Sequence, residues 1–196
     1  MANIYNLFKF LEEKKGKPIP FGVKLIHAPE TLTKEDLNVE GSLNLSFTPI
    51  SSLPDNLTVG GNLFLNKTKI SSLPDNLKVR GDLFLYKTKI SSLPDNLKVE
   101  GYLNLESTQI TSLPDNLKVG GYLNLSFTPI SSLPDNLTVK GNLYLRNTPI
   151  ASLPDNLKVG GNLFLGQTPL AKKYSKEQIR KMIEEKGGKV KGTIHT

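Results

Sequence analysis

The chain has 196 residues, with 25 Lys and Arg against 18 Asp and Glu and a net charge of +7. It contains no cysteine, which excludes disulfide cross-links and is typical of a protein in a reducing compartment. No apolar run reaches the roughly 18 residues of a membrane-spanning helix, and the start of the sequence carries no secretory signal. We therefore expect a cytoplasmic protein, of the producing cell or of a host cell, with no membrane partner.

A twenty-residue unit that begins with glycine recurs from residue 41 to residue 160, and half a unit follows over residues 161–170. A short fixed period predicts a solenoid, because each unit is too small to bury its own apolar side chains and must stack on its neighbours. The sequence thus divides into residues 1–40, residues 41–170 with six and a half repeats, and residues 171–196.

Within each unit the apolar residues occupy fixed positions, counted from the glycine. In the second copy these are Leu63, Leu65, Ile70, Leu73, Leu77 and Val79. Leu63 and Leu65 alternate with other residues, which predicts one half-buried strand per unit and a parallel sheet along the stack. The Leu-Pro-Asp-Asn run at positions thirteen to sixteen predicts a turn. Positions seventeen to nineteen form either a second short strand or an extended segment, and we favour the extended segment.

One threonine stands at position eight of every copy. These residues are Thr48, Thr68, Thr88, Thr108, Thr128, Thr148 and Thr168. The chain must bend there, and a hydroxyl can bond to backbone groups that the bend removes from the sheet. No general base accompanies the threonines, so we interpret them as structural and not as nucleophiles.

The run Leu63-x-Leu65-x-x-Thr68-x-Ile70-x-Ser72-Leu73-Pro74 resembles a leucine-rich repeat of the short bacterial class. It departs from the family at the bend, where threonine stands in place of the usual asparagine. The resemblance implies a parallel sheet on a concave face, an irregular convex side and a protein-binding role. The resemblance also implies two possible roles for a protein of this kind, as a bacterial effector that acts on host proteins or as a phage inhibitor of a host system.

Both ends of the chain carry features that predict caps. Ile4, Leu7, Phe8 and Leu11 follow helical spacing and predict an N-terminal capping helix; a membrane-surface or partner-docking helix is the alternative. Residues 21–40 are interpreted as a degenerate repeat. Val23 and Leu25 match its strand leucines, and Leu37 and Val39 match positions seventeen and nineteen. The nearby His27 has no second ligand at a suitable spacing, so no metal is expected there.

After residue 170 the sequence predicts a second cap. Ser175-Lys-Glu-Gln178 is a capping box, and Gly187-Gly188 ends the predicted helix. The tail that follows forms a last strand or stays loose. Eight of the Lys and Arg residues, but only three of the acidic ones, lie within residues 171–196. A basic segment of this kind can contact phosphates, although a solvated helix face is the commoner explanation.

Positions two, four and six project from the predicted sheet, opposite the leucines, and carry many aromatic side chains. The residues that we select for partner binding are Phe64, Phe84, Tyr86, Tyr102, Tyr122, Tyr144, Arg146 and Phe164. Position seven adds Phe47 and Phe127 to the same face. Such a patch is typical of a binding surface, whereas aromatic pairs between neighbouring strands also stabilise a sheet. The aromatics move from position four to position two at Tyr102 and Tyr122, which favours binding.

No catalytic, metal or cofactor site is expected from the sequence. Six aspartates recur at position fifteen, but one carboxylate per coil does not provide the six to eight oxygens of a calcium site. We therefore predict a non-enzymatic protein that engages a protein partner through its aromatic face. Two alternatives stay open: a nucleic-acid-binding protein that uses the aromatics and the basic C-terminal segment, and a purely structural repeat module. Open solenoid ends are also compatible with a homodimer.

Overall fold

A computed structural model describes residues 10–11, 13–14, 19–115 and 117–196 of the chain. These residues form a solenoid in which each coil contributes one two-residue strand to each of two parallel sheets. Residues one repeat apart are register partners in both sheets, for example Leu63 with Leu83 and Val79 with Val99. The predicted repeat solenoid with short terminal helices is therefore confirmed.

The aromatic sheet, named for the side chains that it presents, is built from the strands that follow each repeat glycine. They are β2 (Leu43–Asn44), β4 (Leu63–Phe64), β6 (Leu83–Phe84), β8 (Leu103–Asn104), β10 (Leu123–Asn124), β12 (Leu143–Tyr144), β14 (Leu163–Phe164) and β16 (Ile194–His195). The second sheet contains β1 (Asn38–Val39), β3 (Thr58–Val59), β5 (Lys78–Val79), β7 (Lys98–Val99), β9 (Lys118–Val119), β11 (Thr138–Val139), β13 (Lys158–Val159) and β15 (Lys189–Val190).

The second sheet corrects one expectation, because the sequence favours a merely extended segment, and not a strand, at positions seventeen to nineteen. In the structure the backbone N–H groups of Lys78 and Arg80 donate to the carbonyl oxygens of Leu57 and Val59 in the preceding coil, both at 3.0 Å. The exact period of the repeat explains the pairing. It places each extended segment beside the same segment of the next coil, at the spacing of about 4.8 Å that strands require.

The apolar positions of the repeat form one continuous core. Leu63, Leu65 and Ile70 are fully buried, and their equivalents in the other copies share the same cluster. The bend threonines act as expected, since all seven hydroxyls donate to the carbonyl oxygen three residues earlier at 2.6–2.8 Å. Six of the seven are also buried, so each hydroxyl satisfies a carbonyl that water does not reach easily.

A short helix, α1 (Phe21–His27), and a 3-10 turn, Pro29–Thr31, precede the first coil. Val23 and Leu25 therefore lie on a helix, and their assignment as strand residues was wrong. The segment lacks the threonine bend and the Leu-Pro turn that close a coil, and Pro20 stands at the N-cap, where its missing N–H costs nothing. The assignment of Val39 is confirmed by its pairing with Val59.

The helix α1 covers the N-terminal end of the core, against which Phe21, Leu25 and Ile26 pack. It also buries Lys24, whose ammonium group lies 3.2 Å from the Asp36 carboxylate. Burial acts to raise the pKa of Asp36, but hydrogen bonds from the Thr33 N–H and from Lys24 outweigh it and hold that pKa below its ordinary value. Of the helix predicted earlier in the chain, residues 10, 11, 13 and 14 are helical, and Ile4, Leu7 and Phe8 lie outside the described residues.

The C-terminal end is closed by α2 (Pro169–Lys173) and α3 (Lys176–Glu185). The Ser175–Gln178 capping box is present, and Gly187 adopts the positive φ of +73° that ends a helix. Ile179 and Ile183 are buried against the last coil. The tail then returns to both sheets as β15 and β16, so it is a last coil and not a loose arm.

Arg180 closes the exposed edge of this last coil. Its guanidinium donates to the carbonyl oxygens of Val190 and Gly192 at 2.9 and 2.8 Å. Inside the array, the equivalent carbonyls accept from the N–H groups of the following coil, as Val39 and Gly41 do from Gly60 and Gly61. The guanidinium thus replaces the two donors that a further coil would supply. Among the described residues, the helices are all too short or too polar to cross a bilayer.

Candidate functional site

Seven ring side chains form a continuous row along the aromatic sheet, which we call the aromatic ladder. Its members are Phe64, Phe84, Tyr102, Tyr122, Tyr144, Phe164 and His195. Neighbouring ring centroids lie between 4.5 and 6.5 Å apart. Six of the eight residues selected from the sequence belong to this row. His195 was missed, because only the structure shows that the tail forms a coil whose position four it occupies.

The rings meet in two different ways. At the ends of the ladder they stack face to face, as Phe64 does on Phe84 at 4.8 Å with planes inclined by 2°. In the middle they meet edge to face, for example Tyr102 with Tyr122 at 6.0 Å. Because stacked rings cover each other's faces along the solenoid axis, those rings present mainly their edges to solvent. Such contacts stabilise neighbouring coils, so part of the ladder's role is packing.

At Tyr102 and Tyr122 the ring moves to position two, and the side chain that accepts a backbone hydrogen bond moves to position four. Where a ring occupies position four, the position-two side chain accepts a hydrogen bond from the next coil, as Asn62 Oδ1 does from the N–H of Asp82 at 2.8 Å. Where the ring occupies position two, an asparagine takes position four and accepts from the N–H two residues later. Asn104 and Asn124 do this at 2.9 and 3.0 Å. The ladder therefore stays continuous while its polar partners change places.

A polar cluster fills the space that this exchange opens at mid-array. The Asn124 amide donates to the Glu106 carboxylate at 3.0 Å. Burial raises the pKa of Tyr102, the negative charge of Glu106 raises it further, and the Asn124 hydrogen bond opposes both. Next to it, the Asn142 amide donates to the Tyr144 hydroxyl at 2.9 Å. Asn124 is buried and Glu106 is half-buried, so the Glu106 carboxylate is the member of this pair that a partner can reach, and the Asn124 amide fixes its position.

Tyr86 and Arg146 lie on the same face but outside the ladder. Tyr86 is half-buried at position six, and the ammonium group of Lys87 lies 5.2 Å from its ring centroid. Arg146 is exposed at the same position three coils further on. The structure thus brings the selected residues onto one face, with six of them in mutual contact and these two beside them.

The most exposed aromatics of the repeats are not ladder members but Phe47 and Phe127 at position seven. Their side chains are 73% and 53% exposed, against 48% for Tyr122. Both have a positive φ, of 62° and 58°, in the left-handed region that bulky side chains disfavour. Their N–H groups continue the pairing of the aromatic sheet, so both rings stand on its rim. The sequence placed them on this face, but did not show that they protrude from it.

The acidic and histidine side chains of the described residues form no cluster of three or more that fits a metal ion. The repeated aspartates sit in turns, and Asp155 is engaged by Lys186 at 3.0 Å. Comparison with family models and with curated proteins gave no match. The argument for function therefore depends on the surfaces of the solenoid itself.

Proposed function

We propose that the protein is a non-enzymatic binding scaffold of leucine-rich-repeat type, which engages a protein partner through the aromatic ladder and its rim. The observation that carries this proposal is the pair Phe47 and Phe127. Each is exposed, and each places a bulky ring in a left-handed backbone conformation that position seven adopts in all seven copies and that costs a non-glycine residue on the order of 1 kcal/mol. A residue that contributes little to the core and destabilises its own backbone fits a role outside the folded chain.

The spacing of the two phenylalanines supports a partner of protein size. Both stand at position seven, four coils apart, so their backbones are separated by about 19 Å along the rim. Four ladder rings, from Phe64 to Tyr122, and the Glu106–Asn124 pair lie on the coils between these two phenylalanines, up to and including the coil of Phe127. Apolar anchors around fixed polar groups are the usual composition of a protein interface. Ring edges, and not open faces, point outward from the stacked pairs, which favours a protein partner over stacked nucleic-acid bases.

The chain itself provides the control substitution for a test. Asn147 stands at the same position, with a φ of 54°, and asparagine tolerates this conformation better than phenylalanine. Phe47→Asn/Phe127→Asn should therefore fold with unchanged or higher stability while losing partner binding. A matched variant, Lys69→Gln/Lys89→Gln, changes exposed side chains two positions further along the coil and should retain binding.

Two variants are expressed in the producing cells, each with one photo-crosslinking phenylalanine analogue. The first carries it at position 127, and the control carries it at position 158 on the second sheet. A protein crosslinked from position 127 but not from position 158, which then binds the purified wild type and not Phe47→Asn/Phe127→Asn, would support the proposal. If the purified candidate binds both proteins equally, the rim is not the site. If Phe47→Asn/Phe127→Asn is less stable than the wild type, the two phenylalanines have a structural role, and the proposal is contradicted.

A further inference from the structure

A row of lysines runs along the outer side of the second sheet. Position eighteen carries Lys78, Lys98, Lys118, Lys158 and Lys189. The structure pairs several of them directly: Lys78 with Lys98, Lys98 with Lys118, and Lys158 with Lys189 are register partners. Identical charges on directly opposed strand residues, about 4.8 Å apart, destabilise a sheet. The row is therefore a cost that the fold does not need, since Thr58 and Thr138 occupy the same position in other coils.

Among the described residues, no ion pair joins a carboxylate to this row, although Glu100 and Asp115 line a groove of about 750 Å³ together with Lys98 and Lys118. The ion pairs found among the described residues involve other lysines, namely Lys24, Lys176, Lys181 and Lys186. The turn aspartates precede the row lysines by three residues, but Asp155 is paired with Lys186 and not with Lys158. All five row lysines are exposed.

The residue at position twenty differs between copies, so repetition of the unit does not by itself explain the charge at this position. It changes from coil to coil and includes Glu40 and Glu100 in the first half of the array, but only Lys140, Gly160 and Lys191 in the last three coils. There the sheet carries a groove of about 450 Å³, lined by Lys140, Lys158, Lys189 and Lys191 together with Thr138 and Gly160. No acidic residue lines it. A Cβ at Gly160 would overlap the carbonyl oxygen of Lys140, so glycine allows the close approach of the two coils there.

We propose that this face, which we call the lysine strip (the position-eighteen lysines from Lys78 to Lys189 together with Lys140 and Lys191), binds the phosphate backbone of a nucleic acid. In the last coils Lys158 and Lys189 are register partners with Lys140 and Lys191 beside them, and such a cluster of lysines suits a polymer with regular charge better than the irregular surface of a folded protein. Lysine is a flexible cation that suits phosphate contacts without fixed geometry. The groove lining has no aromatic or amide side chain that would read a base, so binding should be independent of sequence.

Salt dependence gives the quantitative test. Each phosphate contact contributes about −0.9 to the slope of log affinity against log salt concentration. Lys140→Gln/Lys191→Gln should therefore reduce the slope by about 1.8 and weaken binding up to about 60-fold near 0.1 M salt. The matched control is Lys69→Gln/Lys89→Gln, which removes the same charge from exposed residues outside the strip and should leave the slope unchanged.

The measurement is fluorescence anisotropy of a mixed-sequence DNA duplex with the 196-residue chain, repeated with the two variants between about 50 and 200 mM salt. A reduced slope in the strip variant alone supports the proposal. Equal weakening by both variants would show only a response to net charge and would overturn it. So would the absence of duplex binding at the lowest salt concentration, or binding of heparin without binding of the duplex. Phe47→Asn/Phe127→Asn should bind DNA like the wild type, which separates this test from that of the protein partner.

Discussion

Removal of the Arg180 side chain should unravel the C-terminal coil. Its guanidinium makes two hydrogen bonds, at 2.9 and 2.8 Å, to carbonyls that would otherwise form an open sheet edge. Hydrogen bonds to a charged group are worth about 1.5–3 kcal/mol each. Arg180 is half-exposed, so we use the lower figure and expect Arg180→Met to lose about 3 kcal/mol. In a solenoid this loss falls on the terminal coil first, because coils interact only with their neighbours.

Hydrogen exchange measures this effect where it occurs. The N–H groups of Lys189 and Lys191 bond to Leu157 and Val159 at 2.7 and 2.9 Å, and their protection should fall roughly 100-fold in Arg180→Met. Lys181→Met is the control on the same helix, since its 3.7 Å pair with Glu185 is exposed and contributes at most about 1 kcal/mol. Equal protection of these amides in Arg180→Met and Lys181→Met would refute the view that Arg180 replaces a missing coil.

Three further substitutions test the interior contacts. Thr148→Val should cost about 1–3 kcal/mol in denaturant unfolding, because it removes the buried 2.7 Å bond to the Leu145 carbonyl, and Thr148→Ser should recover most of it. The pKa of Asp36 is lowered on folding, so its stabilisation is complete above the ordinary value of about 3.9 and is lost as pH falls through the lower folded value. The melting temperatures of wild type and Asp36→Asn should therefore converge below about pH 4. Glu106→Gln should lower the pKa of Tyr102, followed by NMR of labelled tyrosine, yet leave it above about 10 because burial is the main cause of its rise.

The repeat makes the middle of this fold predictable and leaves its ends uncertain. At Leu63 and Thr68 many copies of one pattern support the same interpretation, and both residues take the predicted roles. Residues 21–27 have no second copy, and there the apolar spacing of Val23 and Leu25 suited a strand as well as a helix. The helix forms because its apolar face covers the first coil, a tertiary contact that local sequence does not reveal.

The candidate surface was predictable as a face but not in its detail. Alternation in the strand fixes which side Phe64 and Tyr102 project from. It does not reveal that neighbouring rings cover each other's faces, or that Phe127 stands outside the ladder with a positive φ. Similarly, the sequence presents residues 171–196 as one basic segment. In the structure Arg180 bonds to the last coil as part of the cap, whereas Lys189 pairs with Lys158 on the second sheet. These distinctions depend on contacts between residues far apart in sequence.

Packing alone does not explain why the ring stands at position two, and not at position four, in the coils of Tyr102 and Tyr122. A ring at position four and a polar acceptor at position two already provide both ring stacking and a partner for the backbone N–H of the next coil. Phe84 stacks on Phe64, and Asp82 accepts from the Tyr102 N–H. Moving the ring to position two breaks that series of acceptors and requires asparagines to compensate at position four. The chain gains no extra ring contact from this, because the edge-to-face separations there are longer than in the stacked pairs. What it gains is the hydrogen bond between the buried Asn124 amide and the half-buried Glu106 carboxylate, which fixes a charged group at this face of the kind that selects a partner.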